Sequence, residues 1–416
     1  MTDGRHAGAS RFFARDRWMV SCSLILITLA IVLAVVSRSR SEAAPLRLAA
    51  GASGGSFHPI AGNFRPNGTT LRDCRPDPGC LQQAFGNISY FNGPRFALKL
   101  FEQRQLVDKT VAADCHRIAH MIGSAALAHF KGNVAEAYSH GSANCASGYY
   151  HGILERAFIH VLSERGLVQA ARTICRGSGV RRFGYLDYQC VHGLGHGLMI
   201  QTAYDLPLSL SVCAHLPTRW DEVSCSGGVF MENGSTVYGW RSRWLKNEDP
   251  LFPCDWVKLR NKASCYLRVT TQILKMNGAD WKRAGETCRS LEPRWQRYCF
   301  RSFGRDAVGP SKGEGADIIV NRCRLTGDRA GDCLYGAART IADANGAAGP
   351  AASFCKRAPR ADEGPCFAGV GVVVGLLNAT NTKRDAACAR LAGAYVDECV
   401  RAGRAEVAVN GRGAWG

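Results

Sequence analysis

The sequence predicts an all-α fold, in which disulfide-stapled αα hairpins repeat along a solenoid or toroid after one N-terminal transmembrane helix. Three observations carry this reading. Nineteen cysteines occur in 416 residues, and from residue 175 onward they fall in evenly spaced pairs. The segments they open show apolar residues at helical spacing, as in CLYGAARTIADA from Cys333, with few β-branched alternations. An uncharged stretch over 18–36 precedes them all.

In chain order, 1–17 is a cytoplasmic N-terminus and Trp18–Val36 a membrane anchor. At about 1.5 Å rise per residue, that stretch crosses a hydrocarbon core of roughly 30 Å. Arg5, Arg11, Arg15 and Arg17 outweigh Asp3 and Asp16, which places the N-terminus inside by the positive-inside rule. A cleaved signal peptide, cut after Ser41-Glu42-Ala43, is the alternative and gives a secreted protein. The length of the apolar run, with Arg38 and Arg40 ahead of that site, favours an uncleaved signal-anchor. Both versions place the rest of the chain in the periplasm or outside the cell, where disulfides persist. Residues 37–80, rich in Ala, Gly, Pro and Ser, read as a flexible tether. An αα-repeat domain over 81–405 and a short tail over 406–416 follow.

Setting Cys22 aside as part of the apolar span leaves eighteen cysteines. The pairs are Cys175/Cys190, Cys213/Cys225, Cys254/Cys265, Cys288/Cys299, Cys323/Cys333, Cys355/Cys366 and Cys388/Cys399. Their first members step by 38, 41, 34, 35, 32 and 33 residues, the period range of αα solenoid units. Within each unit one cysteine ends a helical segment and its partner opens the next. A disulfide in each pair closes a short loop, worth about 2–3 kcal/mol by chain entropy. Spacings of ten to fifteen residues without any C-x-x-C speak against thiol ligation of zinc or iron–sulfur clusters. The spacing leaves the connectivity of Cys74, Cys80, Cys115 and Cys145 open. Glycine recurs three residues after the opening cysteine (Gly148, Gly193, Gly228, Gly336, Gly369), where it lets neighbouring helices approach. The plan resembles that of cysteine-rich αα-repeat proteins whose successive units are stapled by a disulfide. Their tighter cysteine spacing and glycine-rich turn are absent, so no functional residue carries over.

The histidines divide the repeat domain into a His-rich part, 115–235, and a His-free part, 254–405. Nine of eleven lie between 116 and 215. Three patterns stand out: His116 with His120, His151 with Glu155, and His192 with His196, each pair four residues apart. On a helix that spacing puts both side chains on one face. His151 and His196 both stand six residues after an opening cysteine, so successive helices should present them side by side. The corresponding stretch after Cys225 offers Met231 and Glu232.

Candidate metal ligands are therefore His116, His120, His151, His192, His196 and Glu232. Candidate catalytic groups are His151, Glu155 and His196. Imidazoles with carboxylates suit a divalent transition metal: Zn, Cu, Fe or Ni. Without a metal, the same groups offer general acid–base chemistry, Glu155 orienting a histidine. His129, His140, His160 and His215 read as isolated. Gly152, Gly193, Gly195 and Gly197 beside the patterns leave room for a small ligand, or serve close helix packing.

The leading reading is a membrane-anchored extracytoplasmic protein with a metal-binding, catalytic His/Glu site on its first repeats. One alternative is a non-enzymatic scaffold binding a peptide or protein on its concave face. Another is metal sequestration or delivery. The net charge of +18 fits an anionic glycan or lipid surface. Export and the lack of a recognition motif exclude nucleic acid. No G-x-S-x-G elbow, P-loop or dinucleotide fingerprint occurs.

Overall fold

A computed structural model describes residues 64–408, except 75–76, 143, 162, 177–179, 235–241 and 310–314. The chain divides into two units, Met1–Arg47 and Leu48–Gly416, and the description concerns the second. The expected anchor at 18–36 lies outside the described residues. No helix among them is long and apolar enough to cross a membrane.

The described residues are all-helical, with no strand among them. Ten helices carry the argument: α1 (Pro78–Asn92), α2 (Cys115–His129), α3 (Asn144–Ala157), α4 (Tyr185–Gln201), α5 (Arg219–Asn233), α6 (Leu259–Tyr266), α7 (Pro293–Ala307), α8 (Ala330–Asn345), α9 (Glu363–Leu377) and α10 (Val396–Glu406). From α1 to α10 each packs against the next. Shorter helices connect them and stop and start on local signals. Asp205, Asp280 and Thr380 each accept a backbone N–H in the first turn of the helix they open, and Thr218 does the same for α5. Each cap satisfies a donor that the helix itself leaves without a partner.

Nine disulfides join described residues, and they include all seven of the evenly spaced pairs. In six of those seven the rule is uniform: a cysteine at or near the end of a short helix is bonded to one in the first two turns of the long helix that follows. Cys175–Cys190 fastens α4 in this way, Cys213–Cys225 α5, Cys288–Cys299 α7, Cys323–Cys333 α8, Cys355–Cys366 α9 and Cys388–Cys399 α10. Of the cysteines that spacing left open, Cys74 pairs with Cys80, and Cys115 at the start of α2 pairs with Cys145 at the start of α3.

The pairing is the expected one, but the second cysteine of a pair does not open its helix. Cys190 lies in the second turn of α4, because that helix starts from its own cap at Gly184, ahead of the sulfur. Its partner Cys175 sits in the single turn Ile174–Arg176. Cys265 departs further. It stands near the end of α6, bonded to Cys254, which lies in a turn rather than at a helix end. The chain turns after Tyr266 and becomes helical again over Thr270–Met276, so two short helices stand here where a single long one follows the other pairs. Three β-branched residues, Val269, Thr270 and Thr271, follow one another at this break, where their restricted χ1 lowers helix propensity.

Both ends of the domain lie further out than composition suggests. Phe64, inside the expected tether, is 1% exposed and packs on Met121 and Ala125 of α2. Composition misses this because one aromatic ring anchors a stretch otherwise rich in turn-forming residues. Glu406, the first residue of the expected tail, is buried at the end of α10.

The core forms where the long helices meet, and α4 lies deep within it. Every residue from Asp187 to Ile200 is buried, so α4 has no solvated face there. One stripe of it carries Tyr185, Gln189, His192 and His196. At its start the chain's second half closes against the first: Tyr185 donates to the Asp343 carbonyl of α8 at 2.8 Å, and Gln189 to the Asp343 side chain at 3.0 Å. The Arg339 guanidinium of α8 lies 5.5 Å from the ring centre of Tyr188. Further along the stripe stand the two histidines.

Candidate metal centre

Five imidazoles from three consecutive helices meet inside the domain. His116 and His120 project from α2, His151 from α3, and His192 and His196 from α4. His120, His151, His192 and His196 are between 1% and 4% exposed, and His116 is partly exposed.

The helices come this close because glycines face the backbone beside the histidines. A Cβ on Gly152 of α3 would lie 1.8 Å from the His120 carbonyl oxygen, and one on Gly228 of α5 would lie 1.9 Å from that of His192. No side chain fits there, so these glycines serve helix approach rather than ligand space. With α3 drawn against α2, and α5 against α4, rings on neighbouring helices reach one another.

The rings form two similar halves. In the first, His116 and His120 face each other through their Nε2 atoms at 3.0 Å. His120 Nδ1 donates to Glu155 Oε1 of α3 at 2.6 Å, and His116 Nδ1 donates to the Cys145 carbonyl at 2.7 Å. In the second half, His192 and His196 face each other through Nε2 at 3.3 Å. His196 Nδ1 donates to Glu232 Oε2 of α5 at 2.8 Å, and His192 Nδ1 to the Ser224 carbonyl at 3.2 Å. Each pair thus has one histidine backed by a carboxylate and one by a main-chain carbonyl. An acceptor at Nδ1 fixes the N–H there, which leaves the lone pair on Nε2.

Two lone pairs about 3 Å apart repel unless a cation lies between them. Two nitrogens bound to one metal at about 2.0–2.1 Å with a tetrahedral angle stand about 3.3 Å apart, and about 2.9 Å at a right angle. The separations of 3.0 and 3.3 Å match that bite. Burial disfavours the charged form of four of the rings, and ligand rings must be neutral. Burial, helped by His120, pushes His116 down to about 3, and burial pushes His120 to about 3. His151 and His192 are held well below the usual histidine range, first by burial and then by His196. Burial works to raise the Glu232 carboxyl, but the hydrogen bond and the electrostatic attraction of His196, with the hydrogen bond of Tyr204, outweigh it and hold the group low.

His151 stands between the halves. Its ring stacks on His196 at 4.2 Å and 19°, and lies 5.6 Å from His116, 5.4 Å from His120 and 5.9 Å from His192. Both its ring nitrogens are buried without a hydrogen-bond partner. Two groups have ligand atoms within 4.8 Å of one another: His116, His120 and His151, and His151, His192 and His196. These groups could hold a metal ion.

The sequence-derived residues thus converge, with two placed in different roles. Glu155 backs His120 rather than His151. Glu232 spends one oxygen on His196 and the other on the Tyr204 hydroxyl at 2.5 Å, so it orients a ring from behind. His129, His140, His160 and His215 lie outside the cluster. His129 donates to the Tyr90 carbonyl, His140 pairs with Glu136, His215 donates to the Ser211 carbonyl, and His160 is exposed.

Sequence reasoning missed Tyr204 and the Cys145 carbonyl. The backbone around both is strained: Ala203 and Tyr204 have φ of 51° and 60°, and Cys145 and Ser147 have 53° and 62°. Left-handed non-glycine residues cost about 1–3 kcal/mol and persist where the surroundings demand them. Here they aim a hydroxyl at Glu232 and a carbonyl at His116. The cations beside His192, Arg268 and Arg339, were missed too, since they arrive from the His-free part of the chain.

No family model, no curated protein and no solved structure matches this chain.

Proposed function

We propose that this is an extracytoplasmic, membrane-anchored helical-repeat protein whose His/Glu cluster binds a transition metal. The observation that carries the reading is the double pair of Nε2 atoms at 3.0 and 3.3 Å, each ring backed at Nδ1 by an acceptor. Carboxylate and carbonyl partners behind ring ligands are the usual outer layer of metal sites. His116, His120, His151, His192 and His196 supply the ligands. Glu155 and Glu232 orient His120 and His196 and make them more basic donors.

The repeat reading draws support from glycine placement in the His-free part. A Cβ on Gly336 would meet the Arg301 carbonyl at 2.0 Å, and one on Gly369 the Tyr335 carbonyl at 2.4 Å. Gly228 meets His192 in the same register, three residues after the cysteine of one long helix and two after that of the preceding one. Nine disulfides fit an oxidising compartment, and the apolar stretch 18–36 supplies the anchor.

Burial limits what the centre does. Only His116 reaches partial exposure, so chemistry at the metal involves small diffusible molecules, not a polymer held in a cleft. Equilibrium dialysis against Zn, Cu, Fe and Ni in turn tests the binding. Near-stoichiometric uptake of at least one is expected, lost in a His120→Ala/His196→Ala variant. Less than about a tenth of an equivalent of every metal sinks the reading. Sequestration or delivery differs from a resident catalytic centre by exchange: a chelator strips the first within minutes and leaves the second loaded.

A further inference from the structure

We infer that the cluster holds two divalent ions rather than one, with His151 bridging them as an imidazolate. The inference rests on the metal-binding reading above and extends it from binding to nuclearity. Three observations carry it. The candidate ligand sets are two, they share His151 alone, and each otherwise uses its own H-x-x-x-H pair. Each pair is complete by itself, with its own carboxylate at one ring and its own carbonyl at the other.

The third observation concerns His151. It is the cluster's one imidazole with no hydrogen-bond acceptor behind it and no partner at either ring nitrogen. A metal-binding histidine ordinarily donates its second N–H to a carboxylate or carbonyl. Its four neighbours in the cluster do so. Burying a ring N–H and a ring lone pair with nothing to meet them is costly for both groups. A second metal ion in place of the missing acceptor accounts for both nitrogens. When it binds, one metal–nitrogen bond forms at each side of the ring, and the single ring proton leaves to solvent.

The ions are late first-row divalents with high imidazole affinity, Cu(II) foremost. The arrangement is asymmetric by sequence: Met231 occupies the place in α5 that His151 holds in α3, six residues after the cysteine. One bridge is therefore available, not two.

Copper reads out the bridge directly, because two Cu(II) ions sharing an imidazolate pair their spins at liquid-helium temperature. The experiment titrates the full-length, metal-free protein with Cu(II) and follows both bound copper and the integrated paramagnetic resonance signal. The expected result is two copper ions bound per chain, with a signal that grows through the first and falls as the second enters. Saturation at one ion, or two ions with both spins visible, overturns the bridge and leaves metal binding standing. No copper uptake, with none of Zn, Fe or Ni bound either, overturns both. In His151→Gln, which keeps polar bulk but removes the imidazole and with it any two-nitrogen bridge, any second copper should stay fully visible. Spin pairing that survives in this variant refutes the role of His151.

Discussion

Glu155 offers the sharpest perturbation of the candidate centre, because it touches a ligand ring without itself being needed as a ligand. Its Oε1 accepts from His120 Nδ1 at 2.6 Å, with both side chains at most 1% exposed. Glu155→Ala removes the charge and the acceptor together. Outer-layer substitutions of this kind cost about 10–100-fold in metal affinity, or about 1.4–2.7 kcal/mol. Leaving a buried N–H without an acceptor costs the metal-free protein about 1–3 kcal/mol as well. Glu155→Gln separates the two effects. Its amide oxygen still accepts from Nδ1, so metal-free stability should stay near wild type while affinity falls toward the tenfold end. The assay is competition with a chromophoric chelator for affinity, beside urea unfolding of the metal-free protein. A folded Glu155→Ala protein that binds metal within about twofold of wild type would refute the role given to this carboxylate.

Four further outcomes follow from the same geometry. Gly152→Ala should destabilise the protein by about 3 kcal/mol, since its Cβ would sit 1.8 Å from a backbone oxygen; Gly349→Ala, with nothing within 4 Å, should change urea stability by less than about 0.5 kcal/mol. Metal-free stability should fall as pH drops from about 6.5 toward 3, because unfolding frees histidines to take protons that the folded cluster refuses. With His116 and His120 both held near 3, each adds up to about 1.4 kcal/mol per pH unit in that window, and a flat profile there would contradict their burial as neutral rings. Unfolding the full-length chain without reductant should expose one titratable thiol, Cys22, since the other eighteen cysteines are bonded; more than one would break the disulfide assignment. Removing one clip with Cys288→Ser/Cys299→Ser should lower the urea midpoint by the equivalent of about 2–4 kcal/mol.

Much of this molecule is legible in its cysteines. A disulfide needs two particular residues a fixed distance apart, so even spacing from Cys175 to Cys399 exposes the pairing. It does not expose helix boundaries: Cys190 stands inside α4 and Cys265 near the end of α6, because caps and β-branched runs, not sulfur, start and stop a helix. Helical character follows from the apolar spacing between the cysteines. The histidine pairs are legible for a related reason: a spacing of four on a helix converts sequence into a shared face. Other features resist such reading because they depend on contacts between distant segments. Nothing near Asp343 announces that it meets Tyr185 and Gln189. Tyr204 sits in a connecting turn whose left-handed backbone is set by its surroundings, not by glycine. Glu155 lies four residues from His151, yet it serves His120, because Gly152 lets α3 press against α2 at His120. Phe64 shows the opposite error, a single anchor hidden by the composition of its neighbours.

X-ray absorption at the metal edge of the loaded protein tests the central claim most directly. The account predicts a first shell of nitrogen at about 2.0–2.1 Å with the outer-shell scattering of several imidazoles and no sulfur near 2.3 Å. A shell dominated by sulfur, by carboxylate oxygen or by water would contradict it.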